Sequence, residues 1–505
     1  MKQYPSIFND VIGPVMVGPS SSHTAASVRI GNVIRQLTKA EGPLSVSFEF
    51  DKNSSLASTY STQGVDQGLA AGLIGMQTHQ KKIMQGLELA KQAGLKIFFN
   101  IKDIGPDHPN AYHVLVQRKG KEDIRLKALS TGGGMFEIAE LQYFPVSITG
   151  GFFEILIITS TPLRPKSKQC LEGLGEVTET FGKRGILYNI KSQTPFKEIP
   201  IIDFDEMYTL SPVLSIASQL RPNVPFATVE EVIKYNIENL QLWELACIYE
   251  SIRSGLSKEK VLDKMGDIID LLIESLDKHM DNDIAGRILQ SQSKNIIGKN
   301  ILGGSLIENI IYYVTRFMEI KSANGIFVAA PTAGSCGCVA GTVFALAKEY
   351  ELSKIDMAKS MLAAGLIGVF IAYLSTFSAE VCGCQAECGA ASGMCAAACA
   401  HVLGLDAEKS IAAASMALQN VFGMVCDPVA NRVEVPCLGK NIMGAMNALS
   451  SVNMAAAGFD QVIPLDETIK AMDAVGKSLP MELRCTGLGG LSITPTAQRI
   501  KVELT

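Results

Sequence analysis

The chain carries AEVCGCQAECGAASGMCAAACA at residues 379–400 and GMVCDPVANRVEVPC at residues 423–437, joined by a helix-like run. Three separate segments each present a cysteine in a turn-like setting, at Cys384, Cys426 and Cys437. Thiolates that converge from different loops suit a soft cation or an iron–sulfur cluster. Buried cysteines that only pack against small residues would give the same pattern. The spacing alone leaves both interpretations open.

Other cysteines in this stretch recur near helical spacing. Cys384, Cys388, Cys395 and Cys399 follow one another at intervals of about one or two helical turns. Such a repeat is typical of a packing stripe along a helix rather than of a ligand set. We therefore do not count Cys388, Cys395 or Cys399 as ligands.

Composition excludes several classes of protein. The 505 residues suffice for two to four domains, and the formal net charge of −5 argues against a nucleic-acid-binding surface. Twelve cysteines without a secretory leader predict a reducing, cytoplasmic location. No CxxC pair occurs, so common zinc and thioredoxin signatures are absent.

One stretch raises the possibility of a membrane span. Residues 360–379 carry no charge and are about as long as a spanning helix. They are rich in Ala, Gly, Ser and Thr and run directly into the cysteine segment. We predict a buried core helix here and no membrane.

The N-terminal part reads as α+β. Ser20, Ser21, Ser22, His23 and Thr24 precede an amphipathic helix predicted at residues 25–40. Hydroxyls and an imidazole at a helix start could bind an anion or simply cap the helix. Alternating strands follow, with HPN at 108–110 and STGGG at 130–134.

The rest divides into a small α/β unit and a helical region. Strands at 153–159 and 185–190 flank a predicted helix at 166–181, a pattern that suits ligand sensing or dimerisation. From Thr228 onward the sequence is overwhelmingly helical. The turn at 332–335 interrupts the helices, and it could bind a carboxylate or be a plain connector.

Six motifs in this order, GPSSSHT, HPN with STGGG, APTAGSCG, GCQAE, CDPV and VPC, resemble the iron–sulfur-dependent L-serine dehydratases. The resemblance covers nearly the whole chain and looks like a fusion of two subunits. It implies an α+β β-domain at 1–144, an ACT-like domain at 145–205 and an all-helical catalytic α-domain at 206–505. A homodimer in the cytoplasm is the expectation for such a protein.

The resemblance also implies a function and a site. A [4Fe-4S] cluster would be held by Cys384, Cys426 and Cys437, leaving one iron open to help the hydroxyl of serine leave. A base removes the α-proton, and the products are pyruvate and ammonia. His23 is the first candidate base and His108 the second. The implied substrate contacts are Ser20, Ser21, Ser22, Thr24, Asn110, Thr332, Gly334 and Ser335.

This chain departs from the family pattern in two places. Gln63 lies where many members have a histidine, so either the base lies elsewhere or the substrate is not serine. Some members end in a cysteine that binds the fourth iron at rest, whereas this sequence ends KVELT. Cys485 could replace it only if the tail folded inward, which we do not expect.

Three other functions compete with serine deamination. The first is a related cluster lyase acting on threonine, cysteine or another small β-substituted acid, suggested by Gln63. The second is a cluster-bearing sensor that uses the ACT-like unit, although sensing needs no substrate pocket. The third is a membrane protein built on residues 360–379, which solubility without detergent would exclude.

Overall fold

The computed structural model describes residues 4–38, 45–105, 108–278, 287–299 and 302–504. Two larger sheets form in the first 210 residues, and a two-stranded ladder joins the N-terminus to the helical region. The strands are β1 (Val15–Met16), β2 (Ser45–Asp51), β3 (Lys96–Lys102), β4 (Ala111–Gln117), β5 (Ile124–Gly132), β6 (Met135–Leu141), β7 (Phe144–Ile148), β8 (Phe153–Thr159), β9 (Glu176–Gly182), β10 (Gly185–Ser192), β11 (Glu206–Leu210) and β12 (Phe327–Val328).

The first sheet has six strands in the order β3-β2-β4-β5-β6-β7. Only β2 and β3 pair in parallel; the other neighbours are antiparallel. Helices accompany this sheet, and two of them pack so closely that a Cβ on Gly72 would lie 2.1 Å from the Val28 carbonyl oxygen. These helices are α1 (Ala26–Thr38), α2 (Ser55–Thr59), α3 (Val65–Leu73) and α4 (Gly86–Gln92).

The second sheet is antiparallel, in the order β11-β8-β10-β9, with the single helix α5 (Pro165–Glu172) between β8 and β9. The helix predicted at 166–181 is therefore wrong in its second half. Residues 176–182 read EVTETFG, which alternates as a strand does, and they pair with β10. Strand β11 begins at Glu206, just beyond the predicted limit of this unit.

The C-terminal region is helical, and β12 is its one strand among the described residues from 211 onward. Together with the two sheets, it confirms the predicted fold class. Its helices are α6 (Val229–Tyr235), α7 (Leu242–Ser254), α8 (Lys258–Lys278), α9 (Gly304–Ser322), α10 (Cys336–Tyr350), α11 (Lys354–Leu374), α12 (Ala379–Cys382), α13 (Cys388–Val402), α14 (Ala407–Gln419), α15 (Cys437–Ala456), α16 (Leu465–Ser478) and α17 (Pro495–Glu503).

Helix α11 covers most of the uncharged stretch. Among the described residues it is the one helix long and apolar enough to cross a membrane, and 78% of its most apolar portion is buried inside the protein. It packs against α7, α8 and α13. This burial agrees with the core helix that we predicted.

The N-terminal segment inserts into the helical region. Ile7, Phe8, Val11 and Ile12 belong to the same buried core as the helices, and β1 pairs with β12. The loop that follows, with its serines and His23, consequently lies at the junction of the two regions. This insertion of the N-terminal segment brings the polar loop and the cysteine segments together.

Candidate active site

The N-terminal polar loop is buried at this junction. Ser20 accepts a hydrogen bond from the backbone N–H of His23, and residues 21–25 form a short π-helical turn that leads into α1. Every side chain from Ser20 to Thr24 is less than one-tenth exposed. The loop therefore caps its helix, as the simpler interpretation predicts, and also buries an imidazole.

The His23 ring has polar partners at both nitrogens. Nε2 lies 2.9 Å from Thr59 Oγ1, while Nδ1 lies 3.1 Å from Ser20 Oγ and 3.0 Å from Ser22 Oγ. Thr59 already donates its hydroxyl proton to the Ser55 carbonyl at 2.6 Å. Because Thr59 can then only accept from the ring, Nε2 carries the proton of the neutral imidazole, and Nδ1 is left as the basic nitrogen.

Glu380 faces that nitrogen from the helical region. Its Oε1 lies 3.5 Å from His23 Nδ1 and accepts from Ser22 Oγ at 2.9 Å, and its Oε2 accepts from Ser378 Oγ at 2.7 Å. Burial lowers the pKa of His23, opposed by the Glu380 charge. Burial disfavours ionised Glu380, but His23 and the Ser378 and Ser22 hydroxyls lower its pKa overall. The shifts favour a neutral ring and an ionised carboxyl group; once the ring is neutral, the Ser378 and Ser22 hydroxyls are what favours the carboxylate.

Asn110 is the least satisfied polar side chain near this pair. It is fully buried, and within the described chain neither its amide nitrogen nor its amide oxygen has a hydrogen-bond partner. Its backbone carbonyl accepts from Ser130 N, and Ser130 Oγ donates to the Ser22 carbonyl at 2.7 Å. An unpaired buried amide costs free energy, which a polar ligand would recover.

The other predicted N-terminal residues are used differently. Thr24 donates its hydroxyl to the Gln63 carbonyl at 2.8 Å, so it joins two loops of the protein. His108 is half-buried, and its Nδ1 accepts from the Asn110 N–H at 3.1 Å. It lines a surface cavity that Glu380 also lines.

The turn at 332–335 meets the N-terminal loop directly. Ser21 Oγ accepts from the Ala333 N–H at 3.1 Å, and the Thr332 and Ser335 hydroxyls lie 3.1 Å from each other. A Cβ on Gly334 would lie 3.2 Å from Oε1 of Glu387, whose pKa is raised to about 8, chiefly by desolvation of its carboxyl group. The turn therefore lies between the serine loop and the cysteine segments.

The three predicted ligands come from three different backbone settings. Cys384 follows Gly383, whose φ of 70° lies where only glycine fits easily, and Cys426 donates its N–H to the Leu483 carbonyl at 2.8 Å. Cys437 is the first residue of α15. Asn441, one turn later, donates to the carbonyls of Cys437 and Gly334 at 2.8 and 2.7 Å.

These thiols lie close enough to interact, and a cation accompanies them. A hydrogen bond from Cys388 outweighs burial and, with the charge of Lys440, lowers the pKa of Cys384 to about 7. Burial and then the Cys384 charge raise the pKa of Cys437. Lys440 Nζ also contacts Asp427 Oδ1 at 2.9 Å. A lysine beside a buried thiol favours the thiolate form that metal binding requires.

The three cysteines carry the donor type that an iron–sulfur cluster takes. In the described ranges, no three His, Cys, Asp or Glu side chains converge closely enough to hold one metal ion. A four-iron cluster instead takes one thiolate per iron, so its ligands need not share one centre. Three thiols from separate turns, one of them with a lowered pKa, meet that requirement.

Three further cysteines lie in the helical core. Cys338, Cys395 and Cys399, here called the helix thiols, are almost fully buried on α10 and α13. Cys395 Sγ approaches the Cys338 carbonyl oxygen at 3.9 Å. Hydrogen bonds among the three thiols shift their pKa values, and Thr342 forms a further hydrogen bond with Cys395.

Comparison with known proteins identifies the family. The family model described as the serine dehydratase alpha chain matches residues 237–492, just over half of the chain. This chain belongs to the serine dehydratase family. The matched residues contain the turn at 332–335 and all three predicted ligand cysteines.

Curated members of the serine dehydratase family match both parts of the chain. The probable L-serine dehydratase alpha chain of Bacillus subtilis is 35% identical over 286 residues, 55% of this chain and 95% of the relative. The beta chain of the same organism is 38% identical over 157 residues, 31% of this chain and 69% of the relative. A single-chain L-serine dehydratase of Helicobacter pylori is 25% identical over 497 residues, 95% of this chain and 96% of the relative. The chain thus combines stretches similar to both separate subunits.

The two departures from the serine dehydratase pattern meet in the structure. Contrary to our expectation, the C-terminal tail folds inward: Cys485 is buried, and its N–H donates to the Cys426 carbonyl at 2.9 Å. Contact with the Cys485 thiol, followed by burial, raises the pKa of Cys426. Gln63 Nε2 lies 3.8 Å from Cys485 Sγ. Gln63 therefore faces a thiol rather than the His23 ring.

Sequence reasoning missed several charged groups at this family's site. Glu380 is buried and Glu387 half-buried within the quoted stretch, and Lys440 follows Cys437 by three residues. One signal could have revealed the glutamates, since both lie in a segment of small residues that has no other charge between 360 and 400. Charges in such a segment are paired or functional.

Proposed function

We propose that the chain deaminates L-serine to pyruvate and ammonia with a [4Fe-4S] cluster bound by Cys384, Cys426 and Cys437. The observation that carries the proposal is the buried pair of His23 and Glu380. The pair joins the N-terminal loop to α12, and Cys384 follows Glu380 by only four residues. A base and three cysteine-bearing turns within one buried junction suit an elimination reaction better than a sensor.

In this proposal the base is His23. Its Nδ1 accepts the α-proton of serine, because Nε2 already donates to Thr59. The adjacent Glu380 carboxylate, fixed by the hydroxyls of Ser22 and Ser378, stabilises the imidazolium that results. When bound, the cluster supplies a Lewis-acidic iron that helps the β-hydroxyl to leave.

Loss of the proton and the hydroxyl group gives aminoacrylate. This enamine tautomerises to an imine, which water hydrolyses to pyruvate and ammonia. The unpaired amide of Asn110 and the loop at 20–22 are the proposed contacts to the polar groups of the substrate. His108 remains the second candidate base, reached through the surface cavity.

The names of the relatives support serine as the substrate, since members matching almost the full length of the chain are named L-serine dehydratases. Because Gln63 lies where many family members have a histidine, a cluster lyase that acts on threonine or cysteine is the alternative function. We also propose a homodimer in the cytoplasm, with domains at 1–144, 145–205 and 206–505.

One preparation separates these functions. The protein is purified anaerobically, its iron and sulfide are measured, and pyruvate or 2-oxobutyrate formation is assayed with L-serine, L-threonine and L-cysteine. We expect a full cluster and the highest kcat/KM with serine. A protein that contains the cluster but prefers threonine or cysteine would support the alternative, and one that contains no iron would overturn the proposal.

A further inference from the structure

A cavity of about 250 Å³ opens at the junction of the N-terminal and helical regions. Its walls come from four segments that are distant in sequence, at 51–55, 108–109, 380–381 and 481–486. Glu380, the carboxylate partner of His23, forms part of its lining. The cavity therefore connects solvent with the proposed catalytic pair.

Arg484 is the one arginine or lysine in this lining. Its Nη1 donates to the Val381 carbonyl at 3.3 Å, but its Nε is buried and has no hydrogen-bond partner among the described residues. Nor does any carboxylate of the described chain form an ion pair with it. A buried guanidinium N–H without an acceptor is costly, so the site favours a ligand with acceptor oxygens.

The backbone around Arg484 fixes its position relative to the cysteines. Arg484 and Cys426 form a parallel β-bridge, closed by the hydrogen bonds from Cys426 N to Leu483 O and from Cys485 N to Cys426 O. The guanidinium is thus carried on a segment attached to a proposed cluster ligand. It lines the same cavity as Glu380, whose lowered pKa keeps it ionised.

We propose that this cavity binds the zwitterion of an α-amino acid and that Arg484 holds its carboxylate. A zwitterion needs a fixed charge of each sign, and the cavity offers the guanidinium of Arg484 and two carboxylates. Asp51 already accepts three backbone N–H groups, which leaves Glu380, the partner of His23, to face the ammonium group. Arginine can bind a carboxylate through two parallel N–H···O bonds, which fixes orientation as well as affinity. This inference rests on the proposed function and adds to it the group that selects amino acids.

The test compares two substrate-like probes on three holoenzyme variants. Arg484→Gln removes the charge, and Arg484→Lys keeps the charge but removes the pair of parallel N–H donors. Arg499→Gln is the control, because Arg499 is exposed on α17 and does not line the cavity. The probes are L-serine and L-serinamide, which lacks the carboxylate charge. KM and kcat for serine, the inhibition constant of serinamide and iron content are measured for each variant.

We expect Arg484→Gln to raise KM for serine about 10- to 150-fold, which corresponds to the loss of a charged hydrogen bond. The inhibition constant of serinamide, the iron content and the Arg499→Gln control should change little. Arg484→Lys should give an intermediate KM, because lysine supplies charge without the bidentate geometry. A fall in kcat at constant KM would instead assign Arg484 a structural role and overturn the proposal.

The outcomes separate this inference from the function on which it rests. If the wild-type protein does not deaminate serine, the proposed function fails whatever Arg484 does. If it does, and Arg484→Gln prefers serine to serinamide as strongly as the wild type, the carboxylate anchor is wrong. Should Arg484→Gln lose iron, Arg484→Lys decides: a selective loss of serine affinity supports the proposal, and an equal loss for both probes contradicts it.

Discussion

Two groups of buried cysteines lie in the helical region and differ in their surroundings more than in their depth. The loop thiols, Cys384, Cys426 and Cys437, are 3%, 6% and 8% exposed, and the helix thiols, Cys338, Cys395 and Cys399, are 0%, 0% and 2% exposed. Both groups contain thiols near enough to affect one another's pKa values, as Cys384 does for Cys437 and Cys338 for Cys395. Burial alone does not separate a ligand from a packing residue.

Origin and charge do separate the two groups. The loop thiols come from three separate segments, with Cys437 at the start of α15, and have Lys440 beside them. The helix thiols come from the faces of α10 and α13. A cluster bound at a loop site gains from the neighbouring cation, while a thiol between helices contributes only its packing. The comparison therefore predicts that the loop thiols, and not the helix thiols, bind iron.

Removal of the cluster should have the largest effect on activity and on the accessibility of the loop thiols. Air oxidation followed by an iron chelator is expected to abolish activity and to leave the loop thiols open to alkylation. Mass spectrometry of iodoacetamide-treated protein, before and after this treatment, identifies the labelled cysteines. The helix thiols should stay unlabelled in both states, and equal labelling of Cys395 after treatment would contradict the distinction.

Substitution of the proposed base, His23, should have the next largest effect on kcat. His23→Asn is expected to lower kcat about 100- to 10,000-fold, the usual range for a general base, with iron content unchanged. His108→Gln is the matched variant, because it removes the second candidate base. If kcat falls further in His108→Gln than in His23→Asn, the assignment of the base is wrong.

Substitution of Glu380 should change the pH profile of kcat/KM as well as the value of kcat. Because burial lowers the pKa of His23 from 6.5, the acidic limb of kcat/KM should lie below pH 6.5. His23 also contributes stability that is present above pH 6.5 and is lost as the pH falls and the buried ring must charge.

The Glu380 charge raises the pKa of His23, so Glu380→Gln should move the limb to lower pH and reduce kcat about 10- to 100-fold. The pH profiles of wild type and variant test this directly. Movement of the limb to higher pH would be incompatible with the pairing of these two residues.

The helix thiols should show the smallest effect. Cys399→Ala removes a buried sulfur and is expected to cost about 1–2 kcal/mol of stability, a fall of a few degrees in Tm. Iron content and kcat should match the wild type. A variant that lost iron would move Cys399 into the ligand set.

The sequence predicted much of the fold because its local patterns are strong. The uncharged stretch at 360–379 is largely the buried helix α11, and the alternation at 112–117 is strand β4. The helix predicted at 166–181 is wrong from residue 176 onward, because EVTETFG at 176–182 alternates and pairs with β10. There the helical start at Pro165 was extended too far.

Site residues that depend on distant contacts could not be predicted in the same way. Glu380 acquires its partners only when a loop 358 residues away in sequence packs against α12. Cys485 contacts Cys426 with its own backbone at φ of 59°, a conformation that no local pattern in the tail indicates. Motifs therefore nominate the cysteines and His23 as candidates, and the tertiary fold shows the charged groups that surround them.

Iron and sulfide content of a matched pair of variants tests the central claim most directly. Cys426→Ser and Cys338→Ser are purified anaerobically beside the wild type, and their absorption near 400 nm, roughly the thiolate-to-iron region, is recorded with ammonia release. We predict that Cys426→Ser loses iron, colour and activity while Cys338→Ser keeps all three. Undiminished colour and ammonia release in Cys426→Ser would contradict the account.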